Sequence, residues 1–141
     1  ERLPLNHGFK AVQIGVSAWT AEALKQTLPA SIFSRSTECH NQDKVSMGTI
    51  AARDATRVLV LTEQVVAALC CASVQAIHLR GLTEQLSPVL QQFVAWTLQS
   101  FTLVKEDRPL QYDLQQIVDR FEQLQLLNSA WFNQVENADV R

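Results

Sequence analysis

Glycine and proline are scarce, four of each in 141 residues, and an all-β protein with its frequent turns would need more. Cysteine occurs three times, an odd count with no spacing that suggests a disulfide framework or a zinc site. Cys70 and Cys71 lie inside an apolar run and read as small buried side chains. That usage fits a reducing compartment, so the expected location is the cytoplasm. Basic clusters are missing too. The 12 Lys and Arg against 14 Asp and Glu leave a net charge of −2, scattered singly, which gives no electrostatic reason to expect nucleic acid or an anionic membrane as partner. The most apolar stretch, Val58 to Leu79, is interrupted by Thr62, Glu63, Gln64, Ser73, Gln75 and His78. It reads as too polar for a membrane span, which needs roughly 20 mostly apolar residues. No signal peptide is expected at the start. The opening "ERLPLNHGFK" has no initiator Met and enters a helical pattern almost at once, so a cloned or processed piece of a longer protein is expected.

With 47% hydrophobic and 18% charged residues, the chain reads as a folded, soluble protein, and its length suits one domain with a core of ordinary size. The periodicity predicts a single all-α segment, a helical bundle with a long central helix. A first helix is expected over residues 6–26, with Phe9, Val12, Val16, Trp19, Ala23 and Leu24 at three- and four-residue steps. Pro29 ends it by disfavouring helical geometry at Leu28. A loop is expected over 27–48, then one long helix over 49–80, apolar on nearly every face from Val58 onward and stopped by Arg80 and Gly81. Ser87 and Pro88 read as the cap and first residue of a helix over 87–101. Asp113 reads as the cap of a helix over 113–127, and a short helix around Ala130 to Val135 would pack Trp131 and Phe132 before a polar tail. The Gln-rich faces "LQQFVAWTLQ" and "LQQIVDRFEQLQ" are candidates to meet another subunit.

The segment "FSRSTECHNQDKVSMGTIAARDA", residues 33 to 55, interrupts this helical plan with Glu38, Cys39, His40, Asn41, Gln42 and Asp43 in a row. In even one helical turn, Glu38, Asn41 and Gln42 would project on one side. A carboxylate beside two amides can hold an amine, a carboxylate or a hydroxyl of a small polar ligand. Equally, such a loop can spend its side chains on local backbone groups and cap the helix that follows. Cys39–His40 raises the idea of a nucleophile and its base, but adjacent residues rarely point the right way and spacing fixes no third group. His7, His40, His78 and the cysteines lack metal-ligand spacing, so no metal is expected. Ser34, Ser36 and Ser46 have no Gly-x-Ser-x-Gly setting.

The string "STECHNQDKVSMGTIAARDA" resembles the aromatic amino acid ammonia-lyase and aminomutase family, which includes histidine, phenylalanine and tyrosine ammonia-lyases. "LNHGFKAVQIG" looks like the helix leading into that motif, "ASVQAIHLRG" like part of the family's long core helix, and "VKEDRPLQYDLQQIVDRFEQL" like its C-terminal helix. The likeness runs from Leu3 to Leu127; residues 128–141 have no counterpart in it. It implies a methylidene-imidazolone electrophile, made by cyclisation of an internal Ala-Ser-Gly, and an elimination of ammonia from an aromatic L-amino acid; aminomutases return the amine at the neighbouring carbon. It implies that Glu38, Asn41 and Gln42 line the active site. Gln42 would hydrogen-bond near the substrate or prosthetic group, Glu38, partly buried near the amine, would shuttle a proton, and Asn41 would orient its neighbours. Asp43 would hold the loop together. An amide at Gln42 favours a phenylalanine- or tyrosine-like ring over histidine. The chain contains no Ala-Ser-Gly, and the family's tyrosine base and carboxylate-binding arginine come from earlier segments. The resemblance therefore implies part of a homotetrameric enzyme, inactive by itself, with a pocket shared between subunits. A non-catalytic helical interaction module is the alternative, and a cysteine-dependent enzyme built on Cys39 a distant third.

Overall fold

The computed structural model describes residues 5–41 and 45–121. It is all-α: α1 (Lys10–Lys25), α2 (Gly48–Leu79), α3 (Pro88–Leu98) and α4 (Gln111–Val118), with single 3-10 turns at Ala30–Phe33 and Thr83–Gln85. Its contacts group into two compact units, one formed by Ile14–Val65 and the other by Glu1–Gln13 with Val66–Arg141.

In α1 the apolar stripe is present but shallow. Val12, Val16, Trp19 and Ala23 are half-buried, no residue of the helix is fully buried, and Leu24 is exposed. The 32 residues of α2, about 48 Å at 1.5 Å per residue, bury one stripe only: Leu61, Ala67, Ala68, Cys70, Cys71, Val74 and Gln75. The helix is apolar on nearly every face but buried on one: Leu59, Val66, Leu69 and Leu79 face outward, Leu59 and Leu69 being 64% exposed. By length and composition α2 is also apolar enough to cross a membrane, so the polar interruptions do not set it apart from a span as the sequence suggested.

The helix closes at Gly81 in the left-handed conformation (φ 62°). The Leu82 amide donates to the Ile77 carbonyl and the Gly81 amide to His78, a Schellman pair that satisfies two end carbonyls. Ser87 accepts the Leu90 amide ahead of Pro88, as the sequence predicts for the start of α3. α3 stops at Leu98 rather than near Phe101. Turn bonds from Ser100 and Phe101 to Thr97 end it there, with the Phe101 ring buried.

Polar anchors shape the first-and-last unit. Gln75, buried on α2, pairs with the backbone of Val104 through both amide atoms, accepting from its N–H at 2.8 Å and donating to its carbonyl at 3.3 Å. Asp107 binds the entry to α1: its carboxylate accepts the amides of His7 and Gly8 at 2.8 Å, while its own amide donates to the Asn6 side chain. Those backbone donors, His7 first, hold the Asp107 carboxyl below its usual range.

Asp113 is not the cap the sequence suggested. It lies inside α4, and its two oxygens take a bidentate fork from Arg108 at 2.7 Å each and the Thr102 amide at 3.3 Å. α4 itself begins at Gln111 without a side-chain cap. Arg120 closes the far end of α3. It donates to Ser100 and Gln99, lies 5.3 Å from the centre of the Trp96 ring, and so joins the Phe93–Trp96–Phe121 stack. The expected remainder of the last helix beyond residue 121, the helix around Ala130 to Val135 and the tail lie outside the described residues.

Candidate functional site

The loop between α1 and α2 carries the candidate residues. After the 3-10 turn at Ala30–Phe33, Arg35 donates back to the Phe33 and Ser34 carbonyls, and the chain then makes a turn of unusual hand. Glu38, Cys39 and His40 all have positive φ, at 50°, 51° and 70°. None is glycine, and for L-residues each such placement costs roughly 1–2 kcal/mol. Met47, just before α2, is a fourth, at φ 56°. The Asn41 amide donates to the Glu38 carbonyl at 2.9 Å and closes the turn. The right-handed spacing argument for Glu38 and Asn41 therefore does not hold: the turn that brings them together is left-handed. Both are exposed in this chain. Gln42 and Asp43 lie outside the described residues.

Two serines do more than sequence reasoning assigned them. The Ser34 hydroxyl accepts the Val45 amide at 2.9 Å, and the Ser36 hydroxyl lies 2.6 Å from Nδ1 of His40. His40 is thus engaged by Ser36, which the sequence had weighed only as a nucleophile, and Nδ1 is not turned to its neighbour Cys39. The four-residue spacing of Ser36 and His40 was the available signal, but it has meaning only once the turn is known to be left-handed.

Other concave surfaces are separate from this turn. One open groove of about 820 Å³ is lined by Leu98, Phe101, Thr102, Lys105 and Glu106 among others. Another, of about 530 Å³, runs between Gln26–Ala30 and the α2 residues Ala51, Asp54, Ala55, Val58 and Leu59. Neither includes Glu38 or Asn41. Among the described residues no cluster of three or more His, Cys, Asp or Glu side chains assembles that could hold a metal ion.

The cysteines differ in chemistry. Cys39 is exposed, while Cys70 and Cys71 are buried. Burial pushes both buried thiols up, Cys71 to about 12 with help from the Asp113 carboxylate. Since the thiolate is the reactive form, a maleimide or disulfide reagent at neutral pH is expected to modify Cys39 at once and the α2 pair only on unfolding. Mass spectrometry of the native and denatured chain checks this; rapid labelling of Cys71 in the native chain would contradict the described burial.

The chain matches a family model described as aromatic amino acid lyase over residues 1–98, which takes in the whole loop. It is 37% identical over 111 residues to the tyrosine ammonia-lyase of Cupriavidus metallidurans, covering 79% of this chain and 21% of that protein. It is 30% identical over 115 residues to the histidine ammonia-lyase of Bacillus subtilis, covering 82% of this chain and 22% of that protein. Among solved structures it superposes on the tyrosine aminomutase from Streptomyces globisporus with a TM-score of 0.79 and 31% identity, covering 88% of this chain and 23% of that one. The chain thus spans about a fifth of the length of the curated relatives it matches. With the family model matching well over half of it and a relative of this identity covering most of it, the chain belongs to the aromatic amino acid lyase family.

Proposed function

We propose that these 141 residues are a C-terminal part of an ammonia-lyase acting on an aromatic L-amino acid, tyrosine or phenylalanine rather than histidine. The observation that carries the reading is that the family match runs through residues 33 to 55, where Glu38 and Asn41 stand exposed on a shared turn. An exposed carboxylate and an exposed amide suit a site completed by other parts of a longer chain. The methylidene-imidazolone group fits that polar, amine-binding chemistry, and it would have to form elsewhere, since Ala-Ser-Gly is not among these residues. When present, the group supplies an electrophile that turns the substrate's amino group into a leaving group. In this reading Glu38 holds or moves a proton at the amine, Gln42 hydrogen-bonds near the substrate, and Asn41 orients its neighbours.

The amide at Gln42 supports the preference for a phenol or phenyl ring over an imidazole. The outward apolar face of α2, with Leu59 and Leu69 largely exposed, supports assembly into a homo-oligomer, a tetramer in the parent enzyme. Free cysteines at 39, 70 and 71 support a cytoplasmic location. By itself the segment is expected to be inactive. An aminomutase is the second reading, favoured by the superposition on a tyrosine aminomutase, and the same loop residues would serve it.

The test is the intact mass of the native gene product, with peptide mapping upstream of Glu1. A much heavier chain whose Ala-Ser-Gly peptide is lighter by two waters is the expected result. A product of this chain's own size, or an unmodified Ala-Ser-Gly, would overturn it in favour of a helical interaction module.

A further inference from the structure

We propose that Ser36 and His40 are positioning residues, a side-chain clamp that holds the left-handed turn on which Glu38 and Asn41 stand; this rests on reading that loop as part of an ammonia-lyase site. The bond joins the Ser36 hydroxyl to Nδ1 of His40 at 2.6 Å and bridges across Glu38. It is one of three closures of this loop. Overlapping it, the Asn41 amide donates to the Glu38 carbonyl at 2.9 Å, and around both Ser34 takes the Val45 amide at 2.9 Å. The Glu38–Asn41 bond joins residues three apart and is compatible with turns of either hand. With no glycine among Glu38, Cys39 and His40, the backbone has no intrinsic reason to stay left-handed. Besides the backbone bridge at Thr37, two side-chain contacts reach across Glu38, Ser34 with the Val45 amide and Ser36 with His40, and the second is the shorter and the nearer to the turn. Relaxation to the right-handed region would turn the Glu38 and Asn41 side chains to new directions without unfolding anything, because every residue from 35 to 41 is exposed.

A misplaced catalytic side chain costs rate more than binding, and an error of an ångström is enough for about a hundredfold. In the full-length enzyme, Ser36→Ala and His40→Ala are each expected to lower kcat about ten- to a hundredfold, with KM within about twofold and the melting temperature unchanged. Because the two side chains act as one unit, the double variant is expected to be no worse than the worse single variant. Ser36→Thr keeps the hydroxyl and is expected to recover most of kcat. A Ser36→Ala enzyme with wild-type kcat, losses that multiply in the double variant, or no recovery in Ser36→Thr would each overturn the clamp. Glu38→Gln measured alongside separates the two levels. If it abolishes turnover while Ser36→Ala keeps the wild-type kcat, the clamp fails and the site reading stands. If Glu38→Gln is itself without effect, the site reading fails and takes the clamp with it.

Discussion

Glu38→Gln in the full-length enzyme is expected to lower kcat by about 10²–10⁴-fold, the range over which a positioned acid or base accelerates proton transfer. The substitution is isosteric and removes only the ability to gain and lose a proton. Glu38 is exposed and its turn is closed by backbone and by Ser36–His40, so the fold has little at stake and stability is expected to hold within about 0.5 kcal/mol. Gln42→Ala is expected to cost about a hundredfold, the usual consequence of deleting one aimed hydrogen-bonding group at a reacting centre. Steady-state kinetics on tyrosine, phenylalanine and histidine, with thermal denaturation as control, check both. Wild-type rates for both variants would remove the loop from the active site.

Arg108→Ala is expected to destabilise the chain by about 1–3 kcal/mol, because it leaves a carboxylate behind with its main hydrogen-bond partner gone. Asp113 is only 8% exposed, and besides the fork it receives the Thr102 amide. Urea unfolding followed by circular dichroism measures the loss, and an unchanged midpoint would show that the fork is not holding α4 in place. The same pair sets a pH dependence. Burial raises the Asp113 carboxyl, but the Arg108 fork and the Thr102 amide outweigh it, and the net shift is downward. A carboxyl depressed in the folded state is protonated more readily when unfolded. Its contribution is therefore complete above the unfolded value of about 3.9 and is lost as pH falls through the lower folded value. The wild-type chain is expected to lose stability steeply below about pH 4, while Asp113→Asn, less stable at neutral pH, shows a shallower acid limb. Asp107 shifts in the same direction, so some acid dependence survives in that variant.

The helical plan was legible because its signals are local. Apolar residues three and four apart mark α1, an uninterrupted run of helix formers marks α2, Ser87–Pro88 opens α3, and Gly81 supplies the left-handed residue that ends α2. Family membership was legible in a polar string, since "STECHNQD" has no reason from helix propensity to occur where it does. Asp113 was misread for the complementary reason. A carboxylate near a helix start looks like a cap, and only the approach of Arg108 and Thr102 shows that its oxygens are already taken. The pairing of Asp107 with the amides of His7 and Gly8, 100 and 99 residues away, carried no sequence signal beyond a charged turn.

The sequence by itself determined that this protein is helical, where its long helix ends, and which family its loop belongs to, since these depend on propensity, capping and residue identity along a continuous stretch. The tertiary structure alone decided the hand of the Glu38–His40 turn, the one-sided burial of α2 and the role of Asp113. Each of these is set by a competition: left-handed backbone against the hydrogen bonds that hold it, one apolar face against another, a helix amide against a guanidinium. The winner depends on groups brought together by folding, which no local pattern encodes.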